Sequence, residues 1–238
     1  MVIPKEHGTW LMFFLPFLLG VFLSQPNWFH IPLFVGWFFI YLASTPFLNI
    51  VRNSKLKKSM QPWLLSYSLI AVIFIVPVVW IHSSLVLLGL FLVPLLGMNI
   101  YYIKRKNERN LLNNFSGILI FSLGGVAAYI IGSDGWSNEA FLLLSWVVFY
   151  FMGSSFYVKS MIRERTNMHF KMKSHIYHGV LLFIPWLLTA PWMTLAYFPG
   201  ILKDWFTSRG NPVKPIVIGM VELGNGVIFF AFSLLFLM

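Results

Sequence analysis

Glu222 stands about two turns inside an apolar run, KPIVIGMVELGNGVIFF, with Asn225 three residues further on. A charged carboxylate facing hydrocarbon there costs about 3 kcal/mol. Two kinds of chemistry fit it: a buried pair with a Lys or Arg of another helix, or a group that takes up protons or binds a cation. Gly219, Gly224 and Gly226 in the same run also suit close helix packing. A second set of polar residues gathers where apolar runs end or begin. Asn49, Arg52 and Asn53 in NIVRNSKLKK sit at i, i+3 and i+4, so one helical face presents all three. Lys159 and Arg163 in YVKSMIRER share a face four residues apart, and Asn113 and Asn114 open the run NNFSG. His7, beside Glu6, opens the first run and is a candidate base. Cations at such positions either snorkel to lipid headgroups or clasp an anionic ligand. For Lys55, Lys57, Lys58, Lys171 and Lys173, which lie in loops, the headgroup role is the expectation. His175 and His178 are three residues apart, but two ligands rarely make a metal site, so a capping or interfacial role is expected of them.

The elements that must position these residues follow from composition. Of 238 residues, 58% are hydrophobic and only 10% charged, with a mean hydropathy of +0.78. A soluble domain of this length cannot hide that much apolar surface, so lipid is part of the solvent. Polar interruptions leave apolar segments at 9–24, 31–51, 62–81, 85–103, 112–132, 139–160, 174–189, 191–207 and 215–237. Most reach the ~20 residues that a hydrocarbon core of ~30 Å demands. In that medium runs of this length are helical, because every backbone polar group must be satisfied internally. The seventh and eighth segments are short; Pro185, Pro191 and Pro199 also permit one long kinked span in their place.

Charge chooses between eight and nine spans. With nine spans and a cytoplasmic N-terminus, all 17 Lys and Arg fall on the cytoplasmic side, while the loops QPNWFH, IHSS and GSDGWSNE carry none. The positive-inside rule therefore selects nine, with the C-terminus outside. The net charge of +10 has the same origin, and no basic soluble module exists to bind nucleic acid. The chain has no cysteine, which excludes disulfides and thiolate metal sites. No A-x-A-like cleavage site follows Gly20, so the first run is expected to be a retained helix and not a signal peptide. No repeat, linker or low-complexity tract breaks 1–238, which reads as a single helical domain.

PKEHGTWLMFFLPFLLG, LLNNFSGILIFSLGGVAAYIIG, FYVKSMIRERTN and VKPIVIGMVELGNG together resemble the YwiC-like family of bacterial membrane proteins. The order of features also resembles, more distantly, the UbiA superfamily of intramembrane prenyltransferases. KEHGTWLMFFLPFLLG is similar to that superfamily's first helix, and IYYIKRKNERNLLNNFSG to its Y-x-x-K-R segment at the fifth. That resemblance implies nine helices around a cytoplasm-facing cavity in the bacterial cytoplasmic membrane. NIVRNSKLKK and FYVKSMIRER lie where the superfamily carries its two aspartate-rich motifs, whose aspartates hold Mg²⁺ against a prenyl diphosphate. Here Ile50, Asn53 and Lys57 replace the first motif's aspartates, and Glu164 is the one carboxylate left in the second. Hard cations need oxygen ligands, so no Mg²⁺ or other cofactor is expected. In their place the resemblance puts Arg52, Lys104, Arg105, Lys159 and Arg163, with Asn49, Asn53, Asn113, Asn114 and Asn225, around an anionic or isoprenoid ligand. Glu222, His7 and Glu164 are then the candidate bases. Three functions stay open: a metal-independent prenyl or lipid transferase, a non-catalytic binder of quinone or another membrane lipid, and a transporter of a small anion.

Overall fold

Long apolar runs become helices here, and the boundaries are written in short polar signals. A computed structural model describes residues 2–4 and 7–238, with His7 described by its backbone alone. Among the described residues the regular elements are all helical. They are α1 (His7–Phe22), α2 (His30–Arg52), α3 (Lys57–Ile81), α4 (Leu85–Lys104), α5 (Leu111–Ser133), α6 (Asn138–Ile162), α7 (Met168–Leu181), α8 (Ile184–Leu187), α9 (Thr194–Phe206) and α10 (Pro215–Leu237), with 3₁₀ turns at Ser54–Leu56 and Pro191–Met193. The Asn110 side chain accepts the Leu112 N–H to start α5, and Asn167 accepts the Phe170 N–H to start α7. Pro215 occupies the first turn of α10, where its missing N–H costs nothing. Asp134 ends α5 in the left-handed conformation, φ 56°.

Among the described residues, six helices are long and apolar enough to cross a membrane: α2, α3 with its preceding turn, α4, α5, α6 and α10. The protein is thus a multi-pass membrane protein. α1 is apolar but has only 16 residues. The expected seventh and eighth segments appear as two separate short helices with shifted bounds. α7 has 14 residues and α9 has 13, so each rises only ~20 Å at 1.5 Å per residue. The chain reverses between them through α8 and the Pro191–Met193 turn. Ser174, midway along α7, bonds Asp204 near the end of α9 at 2.7 Å, and Thr194 at the start of α9 bonds the Leu182 carbonyl just past α7 at 3.2 Å. They form an antiparallel hairpin, and one long kinked span through 174–207 does not occur. The prolines act as turn formers, not as kinks within a continuing helix.

The chain divides into two compact units, 1–144 and 145–238. In the first, α5 is the central helix, packed by α1 and α4, while α2 packs on α3. The approach of α1 to α5 requires glycine: a Cβ on Gly20 would lie 2.0 Å from the Gly125 carbonyl oxygen. Small residues at such crossings let two backbones meet where lipid gives helices no hydrophobic reason to associate. In the second unit the polar residues of α10 mark its inward face. Ile218, Glu222, Asn225 and Phe229 are buried at spacings of four, three and four, while Met220, Leu223 and Val227 are exposed. Phe229 stacks on Tyr150 of α6 with centroids 4.1 Å apart, and the buried Tyr197 hydroxyl donates to the Trp146 carbonyl at 2.8 Å. These contacts aim Glu222 and Asn225 inward.

Candidate functional site

The polar interior of unit 145–238 is the candidate site. On α10, Glu222 accepts a hydrogen bond from the Lys203 ammonium of α9 and another, at 2.5 Å, from the Ser154 hydroxyl of α6. Both members of the ion pair are enclosed, their side chains 9% and 8% exposed. The Lys203 ammonium also lies over the Tyr157 ring, 4.8 Å from its centroid. One turn further along α10, the Asn225 amide donates to the Tyr150 hydroxyl at 3.1 Å. Its carbonyl oxygen is buried and has no hydrogen-bond partner among the described residues.

The residue after Lys203 organises a second cluster. Asp204 is fully buried. One of its oxygens accepts from Ser174 at 2.7 Å and Arg209 at 2.5 Å, and the other from His175 at 2.6 Å. His178 Nδ1 stands 3.5 Å from that second oxygen and donates to the Ser174 carbonyl at 2.9 Å. Because a carbonyl can only accept, this bond fixes the proton on Nδ1 and leaves Nε2 with its lone pair. Arg209, itself buried, also donates to the Asp204 and Thr207 carbonyls and to the Ser160 hydroxyl. Asp204 is therefore a buried carboxylate saturated by donors, the form in which such a charge is tolerated. His175 carries the cluster outward, its side chain 28% exposed. Of the two histidines expected in a capping or interfacial role, His175 is partly exposed and bonds a buried carboxylate, whereas His178 lies inside the unit. Among the described residues no three His, Asp or Glu side chains are grouped to hold a metal ion.

The residues predicted at the cytoplasmic helix ends sit elsewhere in their units. In unit 1–144, Arg52 donates bidentately to Glu108, at 2.8 and 2.5 Å, and to the Asn49 side chain at 2.6 Å. Asn113 holds the same loop through the Glu108 carbonyl at 2.7 Å. Asn53 ends α2 and accepts the Lys55 N–H at 3.1 Å. Asn114, half-buried in the first turn of α5, bonds the Asn110 carbonyl through its backbone. Lys104 and Arg105 are exposed, Arg105 lying 5.5 Å over the Tyr101 ring. In unit 145–238, Lys159 lies 5.3 Å over the Phe170 ring, Arg163 is exposed just past α6, and Glu164 accepts from Asn167 at 2.9 Å. The side chain of His7 lies outside the described residues. Sequence reasoning missed Lys203, Asp204, Arg209 and Glu108. The available signal was a Lys–Asp pair inside LAYFPGILKDWF, ending an apolar run.

The Arg52 guanidinium holds the Glu108 carboxyl below its ordinary value, chiefly by hydrogen bonding. A depressed carboxylate pKa contributes stability above its unfolded value and loses it as pH falls through the folded one. Both groups are well exposed, 48% and 34%, so Arg52→Ala is expected to cost only about 0–1 kcal/mol. A thermal-melt series from pH 7 to pH 3 should show the wild-type and variant curves converging at the acid end.

The fold and the site define a class: an α-helical multi-pass membrane protein with an acid–base network built into one helical unit. Within that class the chain belongs to the YwiC-like family, whose model matches residues 3–129. It is 41% identical over 240 residues to YwiC, an uncharacterized protein of Bacillus subtilis strain 168, covering 99% of this chain and 98% of that one. It is 32% identical over 231 residues to an uncharacterized protein of Haemophilus influenzae strain Rd, covering 97% and 96% respectively. No solved structure matches the chain. The family model ends before α6 begins, so the network of residues 145–238 lies outside the matched segment, whereas both relatives extend across it.

Proposed function

We propose that the protein is a proton-coupled carrier of a small anion, with the Lys203–Glu222 pair as its coupling site. The observation that carries this reading is the pair itself: two enclosed charges on helices of a membrane protein, joined by Ser154. Apolar residues of the same volume would pack there at no greater cost, so stability is a weak reason for the pair. Its chemistry is a better one. When Glu222 takes up a proton, its negative charge is lost and Lys203 is left as a buried ammonium without a counter-ion. A small anion beside Lys203 then restores neutrality. Proton and anion favour the same state, and by linkage each strengthens the binding of the other. The Asp204 cluster, one residue along the chain and reaching the surface at His175, supports proton access to that interior.

The rival reading is the prenyl or lipid transferase implied by the UbiA resemblance, with Glu222 as base and Arg52, Lys159 and Arg163 on a diphosphate. Binding of quinone or another lipid without chemistry is the third. Sealed vesicles separate them. Reconstituted protein, with a pH dye inside, is given inward gradients of phosphate, nitrate or lactate. Anion-driven proton uptake above that of empty vesicles is expected, falling about 10²-fold in Glu222→Gln, in the range for removal of a positioned acid–base group. Uptake equal to empty vesicles with every anion rejects the carrier. Thermal stabilisation by prenyl diphosphates that survives EDTA and disappears in Arg163→Ala would favour the transferase.

A further inference from the structure

A small cavity in unit 145–238, about 10 Å³, is lined by Tyr150, Ser154, His178, Gly200, Lys203 and Asn225 among others. It has room for about one water molecule. The groups around it are complementary in a way that neither cluster explains alone. Asn225 is 93% buried by its 7% exposure, and its amide N–H₂ is turned to Tyr150, which leaves the carbonyl oxygen as an unmatched acceptor. His178 is 2% exposed, and with its proton committed to the Ser174 carbonyl it presents Nε2 as a second acceptor. Lys203 has ammonium hydrogens beyond the one given to Glu222. Gly200 keeps the space between these groups open: a Cβ there would lie 3.6 Å from Asn225 Nδ2, 3.9 Å from its Oδ1 and 4.0 Å from His178 Cδ2.

We propose that this cavity is a binding site for a single water molecule, which donates to Asn225 Oδ1 and His178 Nε2 and accepts from Lys203. Three polar partners are the usual complement of a buried water. The site goes beyond the coupling pair, and its use as a proton link rests on the carrier reading. In that use the water takes a proton from Lys203 Nζ as it gives one of its own to His178 Nε2. One N–H bond breaks, one forms, the water is regenerated, and the imidazolium faces Asp204 Oδ2. The water thereby joins the Lys203–Glu222 cluster to the Asp204 cluster and to His175 at the surface.

Radiolytic hydroxyl labelling of the full-length protein in lipid nanodiscs, read by mass spectrometry, tests the site, because radicals generated from a bound water mark the side chains beside it. Tyr150 and Tyr41 are 4% and 5% exposed, so burial alone protects them equally. Tyr150 is expected to label severalfold faster than Tyr41 in the wild type. Gly200→Ala places a methyl in the cavity at ordinary contact distances and improves helix propensity, so it folds, and the Tyr150 rate falls to that of Tyr41. Equal protection of the two tyrosines in the wild type, or a Tyr150 rate unchanged in Gly200→Ala, overturns the site. Proton flux by the same variant tests the link: label and flux lost together support it, and label lost with flux intact overturns it. If wild-type vesicles show no flux, the carrier reading fails and the labelling still decides the water.

Discussion

Glu222→Ala is expected to destabilise the protein by about 3–5 kcal/mol, because it leaves the Lys203 ammonium enclosed without its partner. The loss is larger than the removed contact, since an uncompensated buried charge must be rehydrated or deprotonated. Ser154 loses its acceptor in the same step. Lys203→Met alone is expected to cost a similar amount by stranding the carboxylate. Lys203→Met combined with Glu222→Leu removes both charges and keeps the volume, so most of the stability returns. Thermal midpoints of the wild type, Lys203→Met, Glu222→Leu and the double variant in detergent close the cycle and measure this coupling. If the double variant is as unstable as either single one, packing around the pair and not its charge sets the cost. The double variant also separates structure from activity: it should fold and carry no anion-driven protons.

Asp204→Ala carries the second large effect, again about 3–5 kcal/mol. It strands Arg209, which is 4% exposed, and removes the acceptor of Ser174 and His175. Asp204→Asn keeps the shape, but its amide nitrogen must face one of the two donor sets, so it recovers only part of the loss. The consequence is local. Ser174, His175 and Arg209 all reach Asp204, so this carboxylate ties α7, α9 and the following turn together. Hydrogen exchange should therefore rise across α7 and α9 in Asp204→Ala while α5 keeps its protection, as expected when a sub-global unit opens first. Uniform exchange across the chain would show that the hairpin has no separate stability.

Both effects concern residues of unequal visibility in the sequence. Glu222 and Asn225 were legible because α10 is long and its polar residues keep a helical spacing with Ile218 and Phe229. A carboxylate in an apolar run announces its own cost. Its partner was not legible, because the pair spans two helices and Lys203 reads like any cation at a helix end. Asp204 gave still less: it stands near the end of a 13-residue helix, where a carboxylate exposed to water costs little. The histidines were visible as a pair on one face, but the acceptor that draws them inward lies 29 residues from His175.

The sequence alone determined the medium and the secondary structure. Apolar runs of this length fold as helices in lipid whatever their neighbours, since the backbone must satisfy itself within each run. It also determined which face of α10 turns inward, a matter of spacing along a single helix. Tertiary structure decided the rest. It decided between two short helices and one kinked span within 174–207, matched Arg52 to Glu108 across 56 residues, and set Lys203 against Glu222. Those outcomes depend on how separate helices approach one another, at crossings such as Gly20 against Gly125. In lipid that approach follows from shape and polar matching between helices, and neither is visible in one helix at a time.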